Sequence, residues 1–148
     1  MPTVEKVSRT DAGLASELRM SVMRLRRRLA NERDPANDLS IPVMAVLGAL
    51  FRHGELTVGE LASIERVQPP TMTKIVGKLE ERGLVVRTPH PTDRRQVILS
   101  ATERGRAVYA QFEKARNEWL ALQLAELTPD ERDTLERAAQ ILRQVARN

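Results

Sequence analysis

Residues 57–83 read TVGELASIERVQPPTMTKIVGKLEERG, and this stretch carries two helices with a brief turn between them. Thr57 and Glu60 stand three apart, the spacing at which a hydroxyl and a carboxylate can satisfy each other's orphan amides at a helix start. A short helix over Val58 to about Glu65 follows from that cap. After Arg66-Val67-Gln68, the pair Pro69-Pro70 opens a second helix in its first turn, where a missing amide hydrogen costs little. Met72, Ile75, Val76 and Leu79 then recur at i, i+3, i+4 and i+7, one buried stripe on a helix that stops at Gly83. Two short helices so joined have the dimensions of a helix-turn-helix, the second burying one face and presenting the other.

Downstream the period changes from 3.6 to 2. Leu84-Val-Val-Arg-Thr88 and Gln96-Val-Ile-Leu99 are short and β-branched, which predicts a hairpin with Pro89 to Arg95 as its seven-residue tip. Ser100 and Glu103 are read as a capping box for a long helix to about Glu126. Its positions Val108, Phe112, Ala115, Trp119 and Leu122 alternate in steps of 4 and 3, the seam of a helix lying along another helix. Thr128-Pro129-Asp130-Glu131 begins the last helix, whose apolar face is Leu135, Ala138, Ala139, Leu142 and Val145.

Upstream, Leu14, Leu18, Val22, Leu25 and Leu29 place one stripe on a first helix. The segment from Asn31 to Leu39, with Asp34-Pro35 and Asn37-Asp38, breaks it. Ser40 caps a second helix, Ile41 to about Arg52, apolar nearly all round and so expected inside, and Gly54 ends it. The expectation is a mainly α chain of about six helices with one small β-hairpin.

Composition removes several functions. There are 148 residues and no cysteine, so disulfides, thiolate nucleophiles, Cys-ligated metals and thiol redox sensing are out. The two histidines, His53 and His90, are read as solvated turn residues, and no metal or cofactor site is expected. The glycines are scattered singly, without a phosphate-cradling or nucleophile-elbow string, and no enzymatic activity is expected. The longest apolar run, Val43 to Phe51, is about half a bilayer span. No export signal heads the sequence, which makes the cytoplasm the expected location. The net charge is +4, unevenly spread: Arg19 to Arg33 holds six Arg against one Glu, Glu126 to Glu136 five acids against one Arg. Such a field suits a polyanion, although Arg-rich helices also serve solubility alone.

The outer face of the Pro69 helix points to double-stranded DNA. Removing its buried stripe leaves Thr71, Thr73, Lys74, Gly77 and Lys78, with Gln68 at the tip. Gln can pair with adenine, Thr can reach phosphate or the thymine methyl, and Lys can meet guanine or phosphate. The lysines would equally well solvate an exposed face. The hairpin tip adds Arg94 and Arg95, the residue type suited to a narrow minor groove. Asp93, two residues before Arg95, either braces its guanidinium or bonds the backbone of its own turn. Two further readings compete: an interaction module whose outer face binds protein, and, less well supported, an enzyme whose groups are dispersed in sequence.

The run Leu79-Glu80-Glu81-Arg82-Gly83-Leu84, the triplet Asp93-Arg94-Arg95 and the segment Val97-Ile-Leu-Ser-Ala-Thr-Glu-Arg-Gly105 closely resemble the MarR family of bacterial winged-helix transcription regulators, and the likeness runs from roughly Leu14 to Val145. The resemblance implies a winged helix-turn-helix in a single domain over residues 1–148. About 40–100 would form the DNA-binding part, and about 11–33 with 101–148 a helical dimerisation part. It further implies a homodimer on a pseudo-palindromic operator, usually a repressor released by a small phenolic or lipophilic effector. Carried onto this chain, it makes Gln68, Thr71, Thr73, Lys74 and Lys78 the major-groove and phosphate set. Arg95 becomes a minor-groove finger, with Asp93 its buttress and Arg94 beside it. Leu14, Leu18, Trp119, Leu135, Leu142 and Val145 would face the partner subunit, although Trp119 and Leu142 would equally close an intramolecular core. Met20, Met23, Met44, Leu47 and Phe112 would line the effector pocket, or simply fill the core.

Overall fold

The computed structural model describes residues 9–32 and 37–147; Asp34-Pro35, read as a helix breaker, lies outside them, as does Arg33. Six helices and three strands occur among the described residues: α1 (Asp11–Asn31), α2 (Ile41–His53), β1 (Leu56–Thr57), α3 (Val58–Glu65), α4 (Pro69–Glu81), β2 (Val85–Pro89), β3 (Val97–Ala101), α5 (Glu103–Ala125) and α6 (Pro129–Val145). The chain forms two compact units, one of residues 33–115 and the other of residues 1–32 with 116–148.

In the 33–115 unit the core is built around α2. Ser40 caps it by accepting the Val43 amide, and Gly54 ends it with its N–H on the Leu50 carbonyl. The helix buries Val43, Met44, Val46, Leu47, Ala49 and Leu50, so its middle is enclosed as expected, while Ile41 and Phe51 towards its ends stay exposed. Met72, Ile75, Val76 and Leu79 of α4 pack into the same core, with Leu61 of α3, Leu99 of β3, and Tyr109 and Phe112 of α5. Each such side chain, fully buried, contributes roughly 1.5–3 kcal/mol from the removal of apolar surface from water.

The sheet has the order β1-β3-β2, antiparallel throughout. Sequence reading missed β1, where Leu56 and Thr57 pair with Leu99 and Ile98. The hairpin lies one to two residues later than expected, because Val85 pairs with Ala101 and Pro89 with Val97. Ser100 is therefore a strand residue. The cap it was assigned falls to Thr102, whose hydroxyl accepts the Gly105 amide at 3.0 Å and donates to the Gly83 carbonyl at 2.7 Å. One side chain thus starts α5 and holds the end of the α4 turn, where Gly83 sits at a φ of 68° that other residues rarely adopt.

In the other unit, Thr10 caps α1 and Thr128 with Glu131 forms the expected reciprocal capping box of α6. The Arg28 guanidinium lies over the Trp119 ring, 4.7 Å from its centroid. The α1 stripe of Leu14, Leu18, Val22 and Leu25 remains exposed. No described residue of α6 is buried.

Candidate nucleic-acid interface

The outward face of α4 follows from its inward one. Once Met72, Ile75, Val76 and Leu79 are buried, Thr71, Thr73, Lys74 and Lys78 stand in solvent, with Gly77 half-buried between them. Gln68 is the N-cap residue and makes no side-chain capping bond. The helix therefore starts with an exposed amide side chain beside its positive end. Thr73 differs from expectation in one respect: its hydroxyl donates to the Pro69 carbonyl at 3.0 Å, so it offers a groove its methyl and acceptor lone pairs.

The turn between α3 and α4 is made by Arg66, whose φ of 52° and ψ of 46° are left-handed. Val67 then donates to the Ala62 carbonyl, closing the helix end in a turn usually given to Gly or Asn. Nothing in the residue order around Arg66 marks this strained position.

The wing tip is organised by side chains. Asp93 Oδ1 accepts the Arg95 backbone amide at 3.0 Å and Arg95 Nε at 3.3 Å, while Oδ2 accepts Gln96 Nε2 at 3.4 Å. Both open readings of Asp93 hold at once: it bonds its own turn and braces the guanidinium. The backbone bond from Arg95, then the side-chain bond from it, holds the Asp93 carboxyl below the usual carboxylate range. The Arg95 side chain keeps 90% of its surface in solvent against 30% for Asp93, so the brace is inside and the cation outside. Arg94 is exposed beside it. Upstream, His90 Nδ1 accepts the amides of Asp93 at 3.0 Å and Thr92 at 3.2 Å. His90 is thus a half-buried turn residue whose ring also frames the tip, a role its sequence context did not reveal. A cleft of about 890 Å³ lies between the start of α3 and the wing, lined by Thr57, Gly59, Glu60, Ser63, Arg95 and Gln96.

The remaining expected residues divide between the two units. Met44, Leu47 and Phe112 are core residues of the 33–115 unit, while Met20 and Met23 are exposed on α1. Phe112 also lines a cleft of about 230 Å³ with Leu39, Arg82, Leu84, Arg104 and Val108. Leu14, Leu18, Leu135, Leu142 and Val145 are exposed and Trp119 is half-buried. No cluster of His and acidic side chains fit to hold a metal ion occurs among the described residues. No described helix is long and apolar enough to cross a membrane.

A helix-turn-helix carrying a polar, lysine-bearing outer face, followed by an arginine-tipped hairpin, defines a winged-helix DNA-binding protein. The model of the MarR family matches residues 39–97, and the chain belongs to that family: it is a helix-turn-helix transcription regulator rather than an enzyme. It is 44% identical over 133 residues to the uncharacterized HTH-type transcriptional regulator Mb0904 of Mycobacterium bovis, covering 90% of this chain and 92% of that protein. It is 35% identical over 86 residues to the HTH-type transcriptional repressor MdtR of Bacillus subtilis, covering 58% of this chain and 56% of that protein. The crystal structure of RV1404 from Mycobacterium tuberculosis superposes with a TM-score of 0.81 at 27% identity, covering 93% of this chain and 95% of that one.

Proposed function

We propose that this regulator is a cytoplasmic repressor that binds a pseudo-palindromic operator as a homodimer and releases it on binding a small lipophilic or phenolic effector. The observation that carries the reading is the exposed α4 face of Gln68, Thr71, Thr73, Lys74 and Lys78, presented in the same unit as a wing whose Arg95 is braced yet almost wholly solvated. In this reading the helix enters a major groove, Arg95 an adjacent minor groove, and Arg94 a flanking phosphate.

Dimerisation is supported by the apolar surface that the single chain leaves uncovered. Leu135, Leu142 and Val145 on α6 and Leu14 and Leu18 on α1 are exposed, and a second copy would cover them with matching stripes. Two subunits would set their α4 helices about 34–36 Å apart, one turn of DNA, so the half-sites would lie about 10 base pairs apart. The 230 Å³ cleft, lined by the apolar Leu39, Leu84, Val108 and Phe112 together with Arg82 and Arg104, is the proposed effector seat. An effector acts there only by binding more tightly to a DNA-incompetent arrangement of the dimer.

Selection of duplexes from a random 40-base-pair library by the purified chain tests this. The expected result is an inverted repeat, protected as one footprint, with log affinity falling against log salt at a slope of about −7 for some eight phosphates. Enrichment of no duplex, or a strictly monomeric chain by ultracentrifugation, would overturn it.

A further inference from the structure

The chain at the wing tip runs Pro89-His90-Pro91-Thr92-Asp93. Pro91 has no amide hydrogen, so the first donors after His90 are those of Thr92 and Asp93, and both point at one atom. His90 Nδ1 accepts them at 3.2 and 3.0 Å, with the Thr92 hydroxyl 3.4 Å away. The His90 amide donates across the hairpin to the Gln96 carbonyl at 3.3 Å, and the Gln96 amide donates back to the Asp93 carbonyl at 3.1 Å. His90 therefore fixes the backbone of Asp93 from one side while Gln96 fixes it from the other. The Asp93 carboxylate, so placed, holds Arg95 by both its amide and its guanidinium.

We propose that His90 is a positioning residue for DNA binding, acting through the unprotonated Nδ1 of a neutral ring that carries its proton on Nε2. Nδ1 stands two bonds beyond Cβ, the same place as the Oδ1 of Asn or Asp. The imidazole thus performs the turn-closing role those side chains usually perform. It does so without adding a carboxylate to a tip that already carries Asp93 beside DNA. Only a ring with a free lone pair at Nδ1 can receive two amide hydrogens; a proton at that atom would set three donors against one another. The chain of bonds is His90 to the Asp93 backbone, then the Asp93 carboxylate to Arg95, so His90 governs where Arg95 points while touching no DNA itself. This role rests on the wing reading of the proposed function.

Two measurements test it. In the free protein, imidazole nitrogen NMR at pH 7.5 should find Nδ1 of His90 unprotonated and Nε2 protonated; the opposite tautomer would overturn the proposal before any DNA is added. On a duplex selected by the wild-type chain, His90→Phe, which keeps the ring and loses the acceptor, should weaken binding roughly tenfold, the scale of one to two hydrogen bonds. His90→Asn, which keeps an acceptor at the same place, should restore affinity to within about twofold. Thermal melting of both variants should stay near that of the wild type, since the tip is exposed. If Asn fails as badly as Phe, or if both bind as the wild type does, the acceptor role is wrong while the regulatory reading stands. A wild-type chain that retains no duplex overturns the regulatory reading, and this role with it.

Discussion

Asp38 and Arg82 meet fork to fork: Arg82 Nη1 and Nη2 each donate to one carboxylate oxygen of Asp38 at 2.7 Å. The pair joins the segment just before α2 to the residue that ends α4, across 44 positions of sequence, and so helps fix where α4 stops. The hydrogen bond from Arg82 is the largest cause that holds the Asp38 carboxyl at about 2; desolvation, the next largest, pushes the other way, and the Arg82 charge adds to the lowering. A carboxylate depressed in the folded state adds stability that is complete above its unfolded value, about 3.9, and is lost as pH falls toward its folded one. Urea midpoints for the wild type and Asp38→Asn should therefore differ above pH 4 and converge between about pH 4 and 2. Parallel curves across that window would show that the pair adds no stability.

Arg66 carries backbone strain. A left-handed conformation costs a residue with a Cβ roughly 1–2 kcal/mol, and Arg66 holds a φ of 52° in the turn between α3 and α4. Arg66→Gly relieves that cost, offset in part by the greater freedom of glycine in the unfolded chain. The expected net is a gain of up to about 1 kcal/mol in chemical denaturation, and a loss of stability would mean that Arg66 makes contacts worth more than its strain.

Gly105 is required by proximity, not by its backbone angles. A Cβ there would fall 2.1 Å from the Leu84 carbonyl oxygen, and that oxygen accepts the Thr102 amide at 3.0 Å. Gly105→Ala must push α5 away from the α4–β2 turn and weaken the cap that begins α5. Overpacking of this kind costs about 1–3 kcal/mol or more, which lowers a melting temperature by several degrees in a chain of this size. Scanning calorimetry that found no change would mean that the turn yields without cost.

These positions mark what could be read from sequence. Met72, Ile75, Val76 and Leu79 announced α4 because burial imposes a period on one continuous helix, and all four are buried. Thr128 and Glu131 announced α6 because a capping box is local. Leu56 and Thr57 gave no signal, since two residues have no period and β1 exists only through its pairing with β3. The α5 cap was assigned to Ser100 when it is Thr102, because the register of Val85 against Ala101, not the hydroxyl, decides where the strand ends. Asp38–Arg82 and the Nδ1 of His90 depend on neighbours that only the folded chain supplies. For the candidate site, residue types and the face they share were legible; the turned hydroxyl of Thr73 was not, since any exposed threonine reads the same.

Wing and helix should separate in their effects on DNA. Arg95 is braced by Asp93 yet almost fully solvated, so in the proposed mode it loses little side-chain freedom on entering a groove. Arg95→Ala should weaken binding to a selected duplex about tenfold or more without altering thermal stability. Asp93→Ala removes a negative charge that DNA repels, but also the bonds that aim Arg95, and should weaken binding by less than Arg95→Ala does. Tighter binding by Asp93→Ala would mean that repulsion outweighs bracing and that the wing is not built as argued. Lys74→Ala tests the helix face: a uniform loss with a salt slope shallower by about 1 assigns Lys74 to phosphate, and a changed base preference at one position assigns it to a base edge. Affinity unchanged on every duplex would leave Lys74 a solvating charge, and would move the reading of sequence to Gln68 and Thr71.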